Sequence, residues 1–91
     1  MRKTIWKYKL GQPKDVTEVS MPVGADILHV GMQDDEPCLW VLVDQDMASV
    51  STRKIACFGT GNPCNEAHPF NYLGTIVGHR DVFVWHYFEL V

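Results

Sequence analysis

Few residues in this chain have a type and spacing that could do chemistry, and most of them fall in one stretch. Gly59-Thr60-Gly61-Asn62-Pro63 follows an apolar run, as phosphate-binding loops follow a strand. A dinucleotide or nucleoside-triphosphate loop needs further glycines, or Lys-Ser/Thr, opening a helix. Here Pro63 follows and no helical periodicity appears, so the stretch reads as a turn whose glycines adopt positive φ. Cys57, Cys64 and His68, with His79 or His86 as a fourth group, could supply zinc ligands, but their spacing lacks the C-x₂₋₄-C knuckle of structural zinc sites. Cys64 and His68 could act as nucleophile and base only with an oxyanion hole and a cleft, which so short a loop does not promise. Asp26, Asp44 and Asp46 could meet at the open end of a hairpin and hold a cation; solvated loop acids are the plainer reading. His86 alternates with Val84 and Phe88 and reads as a core histidine satisfied by a hydrogen bond. No cofactor, metal or catalytic set is expected from these residues.

The elements that must position them are strands. Period-two alternation dominates and no segment keeps a 3.6-residue period. Thr4–Leu10 puts Trp6, Tyr8 and Leu10 on one face and Ile5, Lys7 and Lys9 on the other. Val16–Met21 puts Thr17, Val19 and Met21 together. Ile27–Met32 and Cys38–Val43 flank the polar stretch Gln33–Pro37 and predict a hairpin. Residues 44–51 read as a loop, Thr52–Phe58 as a fifth strand, and Phe70–Val77 with Val82–Val91 as a second hairpin around Gly78–Asp81. Seven strands without a helix of length predict one all-β domain over residues 1–91, a small antiparallel roll, sandwich or barrel. Trp6, Trp40 and Trp85 are expected as core anchors, and any left exposed would mark a partner surface. The long, nearly uncharged last strand must lie inside a sheet or pair with a second copy of the chain, which makes a homodimer an expectation.

Charge is unevenly spread. Eight Lys and Arg stand against eleven Asp and Glu, a net −3 that gives no basic face for nucleic acid. Residues 1–14 hold five bases and no acid; residues 15–46 hold eight acids and no base. Two readings follow: the basic strand pairs with acidic neighbours, or an acidic surface built from Asp34, Asp35, Glu36, Asp44 and Asp46 steers a basic partner. At about 3.3 Å per residue, Glu36 and Asp44 lie roughly 26 Å apart, so these acids cannot share one site. Three cysteines and a start, Met1-Arg2-Lys3, that leads into no apolar stretch predict free thiols, no signal peptide and a reducing compartment. Cys38 and Cys57 are expected buried and Cys64 exposed. The longest apolar run, the six residues Cys38–Val43, is far short of the about 20 residues of a membrane span.

Several stretches together carry a resemblance. Lys3-Thr4-Ile5-Trp6-Lys7-Tyr8, Cys38-Leu39-Trp40 with Val43-Asp44, Gly59–Pro63, Tyr72-Leu73-Gly74-Thr75 and the aromatic strand ending Phe88-Glu89 resemble a family of small proteins encoded by tailed bacteriophages and their prophages. The resemblance covers nearly the whole chain. It implies a phage accessory protein acting in the host cytoplasm, and no catalytic residues. Relatives of that kind carry histidine where this chain has Asn62, so a histidine-dependent role of the loop does not transfer. Two functional readings stand. The first is a non-enzymatic protein that binds and modulates a host protein, in its most specific form an inhibitor of a bacterial defence system. The second is a binder of a small molecule such as a nucleotide, using Arg53, Gly59, Thr60, Gly61, Asn62, Arg80 and an aromatic residue, Tyr72 or Trp85, with a pocket shared at an oligomer interface. A cysteine- or metal-dependent enzyme has the least support.

Overall fold

The structure is a computed structural model that describes residues 2–64, 70–78 and 83–90, with Phe70 described by its backbone alone. Seven strands form, in chain order β1 (Lys3–Lys9), β2 (Val16–Pro22), β3 (Asp26–Gln33), β4 (Glu36–Asp44), β5 (Val50–Gly59), β6 (Phe70–Val77) and β7 (Val84–Leu90). They make two antiparallel sheets, β1-β4-β3 and β2-β5-β7-β6. The all-β expectation holds, and the described residues include no helix. The fifth strand starts earlier than expected, at Val50, because Val50–Thr52 pairs with Ser20–Pro22 of β2.

The inner faces are those the alternation selects. Leu39, Val41 and Val43 of β4 are fully buried and join Val19, Met21, Val30, Ile55, Cys57, Ile76 and Tyr87 in one core cluster between the sheets. Burying such a side chain is worth about 1.5–3 kcal/mol, which fixes which face of each strand turns inward. The sheets approach each other along β3 and β6. There a Cβ on Gly74 would stand 2.7 Å from Val30 Cγ1, so only glycine lets the strands come this close.

Local chemistry sets the turns. Asp34 and Asp35 have φ of 53° and 62° and form a two-residue turn closed by the Gln33–Glu36 pair. That is the hairpin geometry whose twist matches the strands, and Asp tolerates positive φ better than most residues. Bulges interrupt β3 between Ile27 and His29 and β6 between Tyr72 and Gly74.

Two expectations need correction. None of the tryptophans is buried: Trp6 is 40% exposed, and Trp40 and Trp85 are half-buried. Trp40 shares the outer face of its sheet with Leu42 and Cys38, and the second sheet covers only the inner face. The core is mainly aliphatic instead, with Tyr87 and Phe58 its buried aromatics among the described residues, and Trp85 and Tyr8 pack against it from half-buried positions. The glycine turn also differs, since Gly61 has positive φ (86°) and Gly59 does not. The last strand takes the first of its two expected arrangements: it lies inside a sheet, hydrogen-bonded on both sides, to β5 and β6, so its apolar length requires no second copy. The lysine-bearing β1 is an edge, as its charges suggested.

Candidate functional site

Two regions gather groups able to recognise something: the end of sheet β2-β5-β7-β6 at the Gly59–Asn62 turn, and the outer face of sheet β1-β4-β3.

At the first, the backbone folds tightly. Asn62 N–H donates to the Gly59 carbonyl at 3.1 Å, and Thr60 N–H donates to the Val84 carbonyl at 3.3 Å. Gly59 is needed for close approach rather than φ: a Cβ there would meet Asn62 Nδ2 at 2.8 Å and Trp85 Cζ3 at 3.4 Å. The Asn62 amide therefore lies across Gly59 beside the indole. Two hollows border the turn. One, of about 500 Å³, is lined by Pro13, Lys14, Asp15, Cys57, Phe58, Gly59, Asn62, Pro63 and Trp85. The other, of about 350 Å³, is lined by Gly59, Thr60, Asn62, Phe83, Val84 and Trp85. Phe83 and Trp85 stack with ring centroids 5.9 Å apart and planes 16° apart.

From this turn a chain of polar groups runs over the outer face of the sheet. Thr60 Oγ1 is 2.7 Å from His86 Nε2, His86 Nδ1 is 3.0 Å from Thr75 Oγ1, and Thr75 Oγ1 is 2.5 Å from the Tyr72 hydroxyl. Thr75 faces His86 directly across the β6–β7 pair. His86 is thus a half-buried surface residue with both ring nitrogens engaged, not a core histidine. The spacing resembles a nucleophile, base and orienting group, but the third member is a hydroxyl, which cannot stabilise an imidazolium as a carboxylate does. The Thr60 and Asn62 amides already serve backbone carbonyls, so neither is available to an oxyanion. The arrangement fixes the position of a hydroxyl through His86.

The structure therefore brings Gly59, Thr60, Gly61, Asn62 and, through the polar chain, Tyr72 into one region. Arg53 stands apart. Its side chain faces inward from β5 and binds Glu89 of β7 in a bidentate pair, while Nη1 donates to the Ala25 carbonyl at 2.9 Å. The hydrogen bond to the Glu89 carboxylate raises the guanidinium pKa further above its ordinary value. Arg80, His68 and His79 lie outside the described residues. Cys57 is buried beside Tyr87, its partner across the strands, and burial pushes its thiol pKa up, the opposite of what a reactive thiolate needs. The buried Tyr87 hydroxyl interacts with this thiol, yet no hydrogen bond of ordinary geometry forms; burial raises its pKa strongly too. Among the described residues no three His, Cys, Asp or Glu side chains converge as metal ligands. Cys38 and Cys57 are buried and Cys64 is exposed, all with free thiols.

The acids expected as a partner surface are dispersed. Asp34 and Asp35 occupy the tip of the β3–β4 hairpin and Glu36 opens β4. At the other end Asp44 faces Lys3 across the β1–β4 pair and accepts from the Asp46 amide, and Asp46 binds Arg2 at 2.9 Å. At that end the basic segment pairs with its acidic neighbours, the plainer of the two charge readings.

The outer face of sheet β1-β4-β3 was not anticipated. Cross-strand pairing places Lys3, Ile5, Lys7 and Lys9 of β1 beside Asp44, Leu42, Trp40 and Cys38 of β4. His29 of β3 faces Trp40 from the other side, with ring centroids 5.7 Å apart. Gly31 makes room, since a Cβ there would meet His29 Nε2 at 2.9 Å. Ile5 is 55% exposed. Lys7 Nζ donates to Gln33 Oε1 at 2.5 Å, spanning β4 between Glu36 and Trp40. The result is an apolar centre on Trp40 with a row of lysines along one side.

Comparison with known proteins adds one fact. Residues 1–91 match a family described as Domain of unknown function (DUF7352). The chain belongs to that family. No curated protein and no solved structure matches it. For the DUF7352 chain, functional argument therefore rests on geometry. Among its described residues no helix is long and apolar enough to cross a membrane.

Proposed function

We propose that this chain is a non-enzymatic binding module that recognises a protein partner through the outer face of sheet β1-β4-β3. The supporting observation is the placement of Trp40: a half-buried indole at the centre of a sheet face that no other strand of the described residues covers, with His29 against it and Ile5 and Leu42 beside it. Binding energy concentrates in such semi-enclosed aromatic anchors. Lys3, Lys7 and Lys9 along the same face favour an acidic partner surface and speed the encounter. The phage-type resemblance supports a host protein in the bacterial cytoplasm as the partner, and a component of a defence system as its specific form. A homodimer belongs to this reading through a surface other than β7, which already has both its neighbours.

The test is capture from a bacterial host lysate on immobilised wild-type chain, Trp40→Ala and Lys7→Glu/Lys9→Glu, with mass spectrometry of the retained proteins. One abundant protein should be held by the wild type and lost from both variants. A protein retained equally by Trp40→Ala would move the binding surface elsewhere.

A further inference from the structure

Going beyond the protein-binding surface, we propose that the hollow between the Gly59–Asn62 turn and Phe83 is a binding site for a flat heteroaromatic ring of the nucleobase class. Three independent features converge there. Phe83 is 53% exposed although it stacks on Trp85, so one aromatic face is backed by the indole and the rest of the ring is left for a ligand. Stacking on such a face accepts any planar heterocycle. Next to it is the Asn62 side-chain amide, which presents a donor and an acceptor side by side, the pattern that reads the edge of a base. The absence of a Cβ on Gly59 is what allows that amide to lie there.

The third feature is Thr60. Thr60 lines the hollow, and its hydroxyl is fixed by His86, which is fixed in turn by Thr75 and Tyr72. A neutral imidazole can hold the Thr60 hydroxyl as acceptor or as donor, depending on which nitrogen carries the proton. Thr60 can then offer a ligand whichever half of a hydrogen bond its edge requires. The volume, about 350 Å³, lies at the small end of the range for ligand sites and suits a base or nucleoside. The turn thus serves recognition by shape and hydrogen bonding, not phosphate cradling, which agrees with the use of its Thr60 and Asn62 amides inside the backbone.

Trp85 lines the hollow, so its fluorescence reports occupancy. Replacing Trp6 and Trp40 with Phe leaves it as the sole indole. The reporter is titrated with adenosine, guanosine, cytidine and uridine, and separately with ribose 5-phosphate. At least one nucleoside should quench or shift Trp85 emission saturably, and ribose 5-phosphate should not. Phe83→Ala and Asn62→Ala, both at exposed positions, should each weaken that binding by about tenfold or more with unchanged circular dichroism. Saturation-transfer NMR on the unmodified chain supplies a readout without variants, with transfer to base protons exceeding transfer to ribose protons. Absence of saturable response to all four nucleosides at millimolar concentration, equal affinity in both variants, or equal binding of ribose 5-phosphate would each overturn the assignment.

Discussion

Replacing Glu89 with Gln should destabilise the chain far more than a charge change near a strand end ordinarily does. Glu89 accepts from Nε and Nη2 of Arg53, and their side chains are only 15% and 22% exposed. Breaking a fully buried pair by removing one partner costs about 3–5 kcal/mol, because a charge is left without compensation. Some water reaches this pair, and Arg53 keeps its bond to the Ala25 carbonyl, so about 2–3 kcal/mol is the working figure. With urea m-values of about 1–3 kcal/mol/M, the unfolding midpoint falls by roughly 0.7–3 M. Arg53→Met should cost a similar amount. The double variant Arg53→Met/Glu89→Gln should cost clearly less than the sum of the two, since neither charge is then stranded. The assay is urea unfolding of all four proteins, followed by far-ultraviolet circular dichroism. A loss below about 0.5 kcal/mol for Glu89→Gln, or strict additivity in the cycle, would refute the claim that this pair clamps β5, β7 and the entry to β3 together.

Two further outcomes are expected. Burial raises the pKa of both Cys57 and Tyr87 above their ordinary values of 9.0 and 10.0, so the unfolded chain releases these protons first. Stability is then fully present below pH 9.0, falls as pH rises through 10.0 and beyond, and falls less steeply in Tyr87→Phe; midpoints unchanged across that range would contradict the burial of these groups. Asn and Gly are the preferred pair where Asp34 and Asp35 hold positive φ, so Asp34→Asn/Asp35→Gly should raise stability by about 0.5–2 kcal/mol, and a lowered melting temperature would show that the turn has another form.

The strands were legible because period-two alternation is a local property: Trp6, Tyr8 and Leu10, or Thr17, Val19 and Met21, declare a shared face without reference to anything distant. The depth at which a face is buried is not local. β4 carries Leu39, Val41 and Val43 on one side and Cys38, Trp40 and Leu42 on the other, and nothing in that run says which side meets the second sheet. That is why Trp40 read as core. The glycine turn was visible from Gly59, Gly61 and Pro63, yet its connection to Tyr72 was not. On a regular strand Tyr72 and Thr75, three residues apart, would point to opposite faces. The bulge between Tyr72 and Gly74 brings both to the face of His86, and a bulge leaves no clear mark in the residues themselves.

The order β2-β5-β7-β6 also has a consequence in time. β5 and β6 follow one another in the chain but are not hydrogen-bonded to each other; each is joined to β7. Sheet β1-β4-β3 has all its strands once Asp44 has been synthesised, whereas the other sheet remains a single β2–β5 pair until the seventh strand arrives and inserts between its neighbours. Until then Leu39, Val41 and Val43 face only part of their eventual cover. Such late, non-local pairing slows folding and prolongs exposure of apolar surface. A nascent chain of this design is most vulnerable to aggregation, and most in need of a chaperone, in the interval just before β7 is in place.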